Sequence, residues 1–303
     1  MTEQTSPPAT ERFGDEHPRA VAASAARGGE AVQPQVLLLT IAGDYMYARP
    51  APVWSGGLVR ILETFGFTHT AARLALSRFS RKGHLERTKD GRITRYALSR
   101  SGIRMLADRR RRIHSFGMQE RAWDGRWTLV SYSLPEAQRD LRDRLRRNLE
   151  FLGFASLHDG TWFSPSDRAE AVGEKLDELG VGRYAYVFVG ALSSRHGLAE
   201  LVRRGWDLDL LQRRYDWFLH EFERYGDPDV RAALTDAEAF ATRIWIMHAF
   251  RRFPFMDPEL PDEVVGAHLQ RGRAIELFHE VWNGLTVPAE RHFEALVAEP
   301  PRR

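Results

Sequence analysis

Three amphipathic helical segments followed by a basic hairpin, then strands and helices in the order β-α-β-β-α-β, then a largely helical final hundred residues predict an α+β chain. The expected architecture is an N-terminal winged helix-turn-helix, a central ferredoxin-like α/β sandwich and a mainly helical C-terminal domain. The length of 303 residues agrees with two domains at roughly 150 residues each, or with three if each is small. Hydrophobic residues at 43% and charged residues at 28% suit a chain able to bury substantial cores, not a disordered one.

Residues 1–32 lack apolar periodicity and are expected to form a disordered tail. The run Val36, Leu37, Leu38, Leu39 and Ile41 suits a buried helix, which Gly43-Asp44 is expected to break. A second helix is expected over Val53–Phe65, with Ser55 as N-cap and Leu58, Ile61, Leu62 and Phe65 at helical spacing. Thr68 caps a third helix that runs to about Lys82 and is stopped by Gly83. Its core side carries Ala72, Ala75, Leu76 and Phe79, and its other side Thr70, Arg73, Leu74, Ser77 and Arg81. Asp90-Gly91 between the strand-like runs 85–88 and 93–98 is a strong hairpin signal and completes the module at residues 33–98.

Residues 99–122 are expected as a basic linker helix containing Arg109-Arg110-Arg111-Arg112, with a boundary near 115–122. Over 123–200, strands at 127–133, 154–163 (turning at Asp159-Gly160) and 184–192 flank helices at 136–152 and 168–179. Residues 201–303 read as helices at 208–225, 236–253, 272–283 and 289–297, assigned to effector binding and dimerisation.

Charge is partitioned sharply. Residues 32–122 hold 17 Lys/Arg against 6 Asp/Glu, while 123–303 hold 24 against 30, within an overall formal charge of +3. A cationic segment followed by an acidic remainder implies that the first part meets a polyanion, and duplex DNA suits a helix that enters the major groove. Candidates for base edges are Thr70, Arg73 and Ser77, because arginine can bond two acceptors on guanine, with Leu74 placed for a thymine methyl and His69 included in the DNA-binding set. Arg78, Arg81 and Lys82, with Arg87, Lys89, Arg92 and Arg95 from the hairpin, are candidates for phosphates.

Catalytic signatures are scarce. The chain has no cysteine, hence no disulfide, thiolate nucleophile or Cys-type metal site. P-loop, nucleophile-elbow and His-Glu-x-x-His motifs are missing, and the eleven histidines show no defensible metal-ligand spacing, so neither enzyme activity nor a metal is expected. The longest strongly apolar stretch, 36–42, is far below the ~20 residues that span a bilayer, and no secretory leader is read; no membrane association and a cytoplasmic location are expected.

Two stretches resemble the PaaX family of bacterial transcriptional repressors, which regulate aromatic-acid catabolism, notably of phenylacetic acid. The first runs from Thr68 to Phe79 and continues through Lys82-Gly83-His84-Leu85, after Gly43-Asp44-Tyr45. The second includes Arg204-Gly205-Trp206-Asp207-Leu208, Tyr215, Phe218, residues 239–243 and Asp257-Pro258-Glu259-Leu260-Pro261. The resemblance spans about residues 33–297 and implies a homodimeric repressor released from its operator by an acyl-CoA effector, typically phenylacetyl-CoA. Such a ligand needs cations for its phosphates and an apolar wall for its acyl group, which makes Trp206, Arg243, Trp245, His248 and Arg251 the effector candidates. Gly266 and Leu269 stand where the family pattern has Pro and Trp, a departure that leaves the identity of the acyl group open. The central domain is similar to a small CRISPR-associated nuclease fold, but Ser133 stands where a metal-binding Asp would be, which disfavours a metal-dependent nuclease. A nonspecific architectural DNA-binding protein is the other alternative.

Overall fold

The computed structural model describes residues 32–49, 51–118, 123–193, 197–260, 265 and 269–299. The expected tail (apart from residue 32), Gly266 and residues 119–122 of the expected boundary lie outside the described residues. In chain order the helices are α1 (Pro34–Ile41), α2 (Ser55–Thr64), α3 (His69–Arg81), α4 (Arg100–Ser115), α5 (Arg139–Phe151), α6 (Ala169–Leu179), α7 (Leu198–Gly205), α8 (Leu208–Phe222), α9 (Pro228–Ala232), α10 (Asp236–Phe250), α11 (Phe253–Met256), α12 (Arg271–Gly284) and α13 (Thr286–Val297). The strands are β1 (Val53–Trp54), β2 (Leu85–Asp90), β3 (Ile93–Leu98), β4 (Arg126–Tyr132), β5 (Ala155–His158), β6 (Thr161–Ser164) and β7 (Ala185–Ala191). The class is α+β, with two antiparallel sheets.

The chain divides into two compact units, and residues 201–303, expected as one helical domain, contribute to both. The first unit comprises the described residues among 1–107, 227–248 and 281–303. Its sheet has the order β1-β3-β2. Thr68 caps α3 by accepting a hydrogen bond from the Ala71 N–H at 3.2 Å, and Gly83 (φ 76°) ends it. Ala72, Ala75, Leu76 and Phe79 of α3 are buried with Leu37, Leu38, Ile61 and Leu62. Each large apolar side chain removed from water contributes about 1.5–3 kcal/mol, so this set dominates the unit's stability. Helices from the far end of the chain complete the core: Tyr45 stacks on Phe293 of α13 at 4.6 Å and packs at 5.3 Å from Phe240 of α10.

Several local expectations change. Gly43-Asp44 does not break the first helix; the backbone widens into a π turn over Ala42–Met46. The Asp44 carboxylate is turned inward to protein partners, so it has no need of the solvent that a helix break would give it. Ser55 is the first residue of α2, following Trp54, because Val53 and Trp54 pair with Tyr96 and Arg95 as β1, a strand too short to show alternation. Helix α10 stops at Phe250, and Pro254 sits in the first turn of the separate α11, where a missing N–H costs nothing.

The second unit comprises residues 108–226 and 249–280. Its elements run β4-α5-β5-β6-α6-β7, and the sheet order is β5-β6-β4-β7. Strand alternation sends Val130 and Trp162 to one face, packed with Leu145 and Leu149 of α5 and Val172 and Leu176 of α6. Trp127 and Phe163 point to the other face, against Val202 of α7.

Candidate nucleic-acid interface

Burying Ala72, Ala75, Leu76 and Phe79 forces the rest of α3 outward, because a helix turns 100° per residue. His69, Thr70, Arg73, Leu74, Ser77, Arg78 and Arg81, with Lys82 just beyond, are exposed, Leu74 at 46%. A groove of about 560 Å³ lies between α3 and the hairpin, lined by Arg73, Leu74 and Ser77 on one side and Arg87, Arg92, Thr94 and Tyr96 on the other. Among the described residues, Arg73, Arg78, Arg81, Lys82, Arg87, Lys89 and Arg92 make no ion pair, so their charge is available to a ligand. His69 is tied by Nδ1 to Glu63 Oε1 at 2.9 Å.

The hairpin register sorts its cations by face. Arg87 lies opposite Tyr96 and Lys89 opposite Thr94, so alternation puts them on the groove side. Arg95 lies opposite Thr88 and belongs to the other face. There its guanidinium is gripped by both carboxylate oxygens of Glu299, with Nη2–Oε2 at 2.8 Å, and stands 3.7 Å from Asp90. Arg95 is therefore neutralised, unlike the hairpin cations with which the charge count grouped it. Thr94 and Tyr96 are the groove residues that counting charges missed; two-residue periodicity was the signal for them. The arginine run of α4 also divides, since Arg109 and Arg111 are exposed while Arg112 is drawn inside the second unit. Its guanidinium lies 4.7 Å from the Phe151 ring and 4.9 Å from that of Phe255, Nε donates to the Pro254 carbonyl at 2.7 Å, and burial lowers its pKa to about 10.

Of the five effector candidates, Arg243, Trp245 and His248 belong to the first unit and Trp206 and Arg251 to the second. Arg243 is buried in the first unit, with Nη1 3.7 Å from Asp44 Oδ2 and Nε donating to the Trp282 carbonyl at 3.0 Å. Its guanidinium lies 4.1 Å from the Trp282 ring, and Trp282 Nε1 donates to Asp44 at 3.2 Å. Burial pushes the neighbouring Tyr45 phenol well above its ordinary range. Trp245 is core, stacked on His248 at 5.2 Å, whereas Trp206 and Arg251 are half-buried in the second unit. Trp206 meets Phe163 edge-on at 4.9 Å, and a Cβ on the preceding Gly205 would come within 2.8 Å of Phe163. Asp207 then caps α8, accepting from the Leu210 N–H at 2.8 Å. Asp257 is equally structural, held by both Arg271 Nε and Tyr215 Oη at 2.7 Å.

A cavity of about 660 Å³ in the second unit is lined by Tyr132, Ser133, Arg142, Arg146 and Trp162 among others, and by none of the five candidates. Ser133 follows β4, its N–H donating to the Tyr184 carbonyl at 2.9 Å. Among the described residues no group of three His, Asp or Glu could hold a metal ion, and no helix is long and apolar enough to cross a membrane.

This geometry defines a chain with an exposed cationic helix and hairpin in one unit and an α/β sheet in the other. Comparison with known proteins gives three family matches in chain order. They are the PaaX-like protein family over residues 33–102, the PaaX protein central Cas2-like domain over 120–202, and the PaaX-like protein C-terminal domain over 206–295. A relative named Transcriptional repressor PaaX, from Escherichia coli (strain K12), is 31% identical over 238 residues, covering 77% of this chain and 74% of its own length. The structure of the uncharacterized protein Rv0674 from Mycobacterium tuberculosis is similar at 22% identity and a TM-score of 0.46, covering 89% of this chain and 97% of that one. The chain belongs to the PaaX family.

Proposed function

We propose that this protein is a sequence-specific DNA-binding transcriptional repressor, in which residues 33–98 form a winged helix-turn-helix and 123–200 a ferredoxin-like domain. The observation that carries the reading is the groove between α3 and the hairpin, walled by arginines with no protein counter-charge, in a chain homologous to a named repressor. In the proposed complex Thr70, Arg73 and Ser77 meet base edges, Leu74 meets a thymine methyl, and Arg78, Arg81, Lys82, Arg87, Lys89 and Arg92 meet phosphates. A homodimer sets two copies of α3 at half-sites about 34–36 Å apart. An aromatic acyl-CoA that prefers a different dimer geometry lowers operator affinity, a reading that rests on family membership. Its candidate contacts are Trp206 and Arg251 of the second unit and, separately, His248 of the first; Arg243 and Trp245 are buried.

The test is a mobility shift on DNA upstream of the protein's own and neighbouring genes, against random-sequence competitor and with a panel of CoA thioesters. The expected result is a shift that operator DNA competes away, random DNA does not, and one aromatic thioester abolishes. Arg73→Ala is expected to weaken specific binding by ~1–3 kcal/mol and to relax one base position. Equal binding by mutant and wild type, or equal competition by random DNA, sinks the reading.

A further inference from the structure

We infer that Glu299 is a positioning residue for the hairpin, holding it at the angle to α3 that the groove requires, and that Arg95 is the handle it grips. The inference deepens the DNA-binding reading and rests on it. Three observations support it. Arg95 sits on the hairpin face opposite the groove-lining Thr94 and Tyr96, so alternation keeps it from a ligand in the groove. Both carboxylate oxygens of Glu299 engage its guanidinium, a bidentate geometry that fixes direction as well as distance. Glu299 is itself anchored, because it follows α13 directly and α13 is seated on the module. Gly57 of α2 lies so close to α13 that a Cβ there would fall 2.6 Å from Val297 Cα, and Glu294 grips Arg49 with both oxygens.

A hairpin that pairs only with the two-residue β1 has little else in the sheet to fix its angle, since β1 and β2 are the edges and β3 the centre. The grip of Glu299 on β3 supplies that restraint. It also leaves the groove face of the hairpin cationic, because the acidic side chain lies behind it.

The experiment measures operator affinity against salt for the full-length chain and for Arg87→Ala, Arg95→Ala, Glu299→Gln and the double variant Arg95→Ala/Glu299→Gln. Each phosphate contact contributes about 0.9 to the slope of log affinity against log salt, so Arg87→Ala is expected to reduce the slope by that amount. Arg95→Ala and Glu299→Gln are expected to leave the slope unchanged, to weaken binding roughly two- to fivefold each, and to give no further loss when combined. A slope reduced by Arg95→Ala as much as by Arg87→Ala overturns the inference, as does tighter binding by Glu299→Gln, which would mean that the carboxylate withholds Arg95 from DNA. A second readout needs no DNA: amide exchange over residues 85–98 is expected to quicken in Glu299→Gln, and unchanged protection there overturns the inference. Absence of any DNA binding by the wild type defeats the functional reading alone.

Discussion

Arg243 and Asp44 are separated by most of the chain, yet they form one buried ion pair shared with Trp282. Two charges taken out of water are tolerated only while each compensates the other. Arg243→Ala is therefore expected to cost about 3–5 kcal/mol in urea denaturation, because the Asp44 carboxylate stays behind without its cation. Asp44→Asn in the same background is expected to recover part of the loss. A change below about 1 kcal/mol for Arg243→Ala would show that the pair carries little of the unit's stability. The same logic reassigns the family motifs. Gly43-Asp44-Tyr45 and the arginine of residues 239–243 are halves of one clamp, and Asp257 with Tyr215 and Arg271 makes another. Residue types that suit a charged ligand equally suit a buried pair, so composition by itself could not choose between them.

Helices and strands were largely readable because their signals are local. The cap at Thr68, the stop at Gly83 and the Asp-Gly turn each depend on a few adjacent residues. The two-residue β1 and the π turn at 42–46 were not readable, since each exists through a partner remote in sequence: β3 for one, the Arg243 clamp for the other. Close approach between helices is a further case. Gly57→Ala ought to stabilise α2 on propensity alone, but the added methyl meets the Val297 backbone, which cannot swing aside. It is expected to cost about 1–3 kcal/mol by overpacking. Gly173→Ala, in α6 with nothing within 4 Å of the new Cβ, is expected to gain about 0.5–1 kcal/mol. A urea midpoint raised by Gly57→Ala as it is by Gly173→Ala would remove the claim that α13 presses on α2.

At the scale of the whole chain, the first compact unit joins segments that are far apart in sequence. Phe240, Ile244, Phe293 and Val297 are buried in the same unit as Leu37, Ile61 and Leu76, so the cationic module is completed by residues more than 130 positions downstream of it. A chain cut after Gly117 is expected to lose cooperative unfolding and operator binding together, because it exposes the surface those side chains cover. A sharp thermal transition with operator binding intact in that fragment would refute the composite unit. Residues 32–117, which such a cut retains, keep the cationic surplus, so the experiment separates electrostatic attraction from the architecture that aims it.

Periodicity, caps and the count of charges along the chain were enough to place the exposed cationic helix, the hairpin beside it and the cationic surplus they share. Each of those depends on neighbours within about one turn of helix or one strand pair. Which cations remain free to act was settled only when the chain folded. Arg95 is silenced by a carboxylate 204 residues away and Arg49 by one 245 residues away. Coulomb energy depends on distance in space, and spacing along the sequence carries almost no information about distances of that kind.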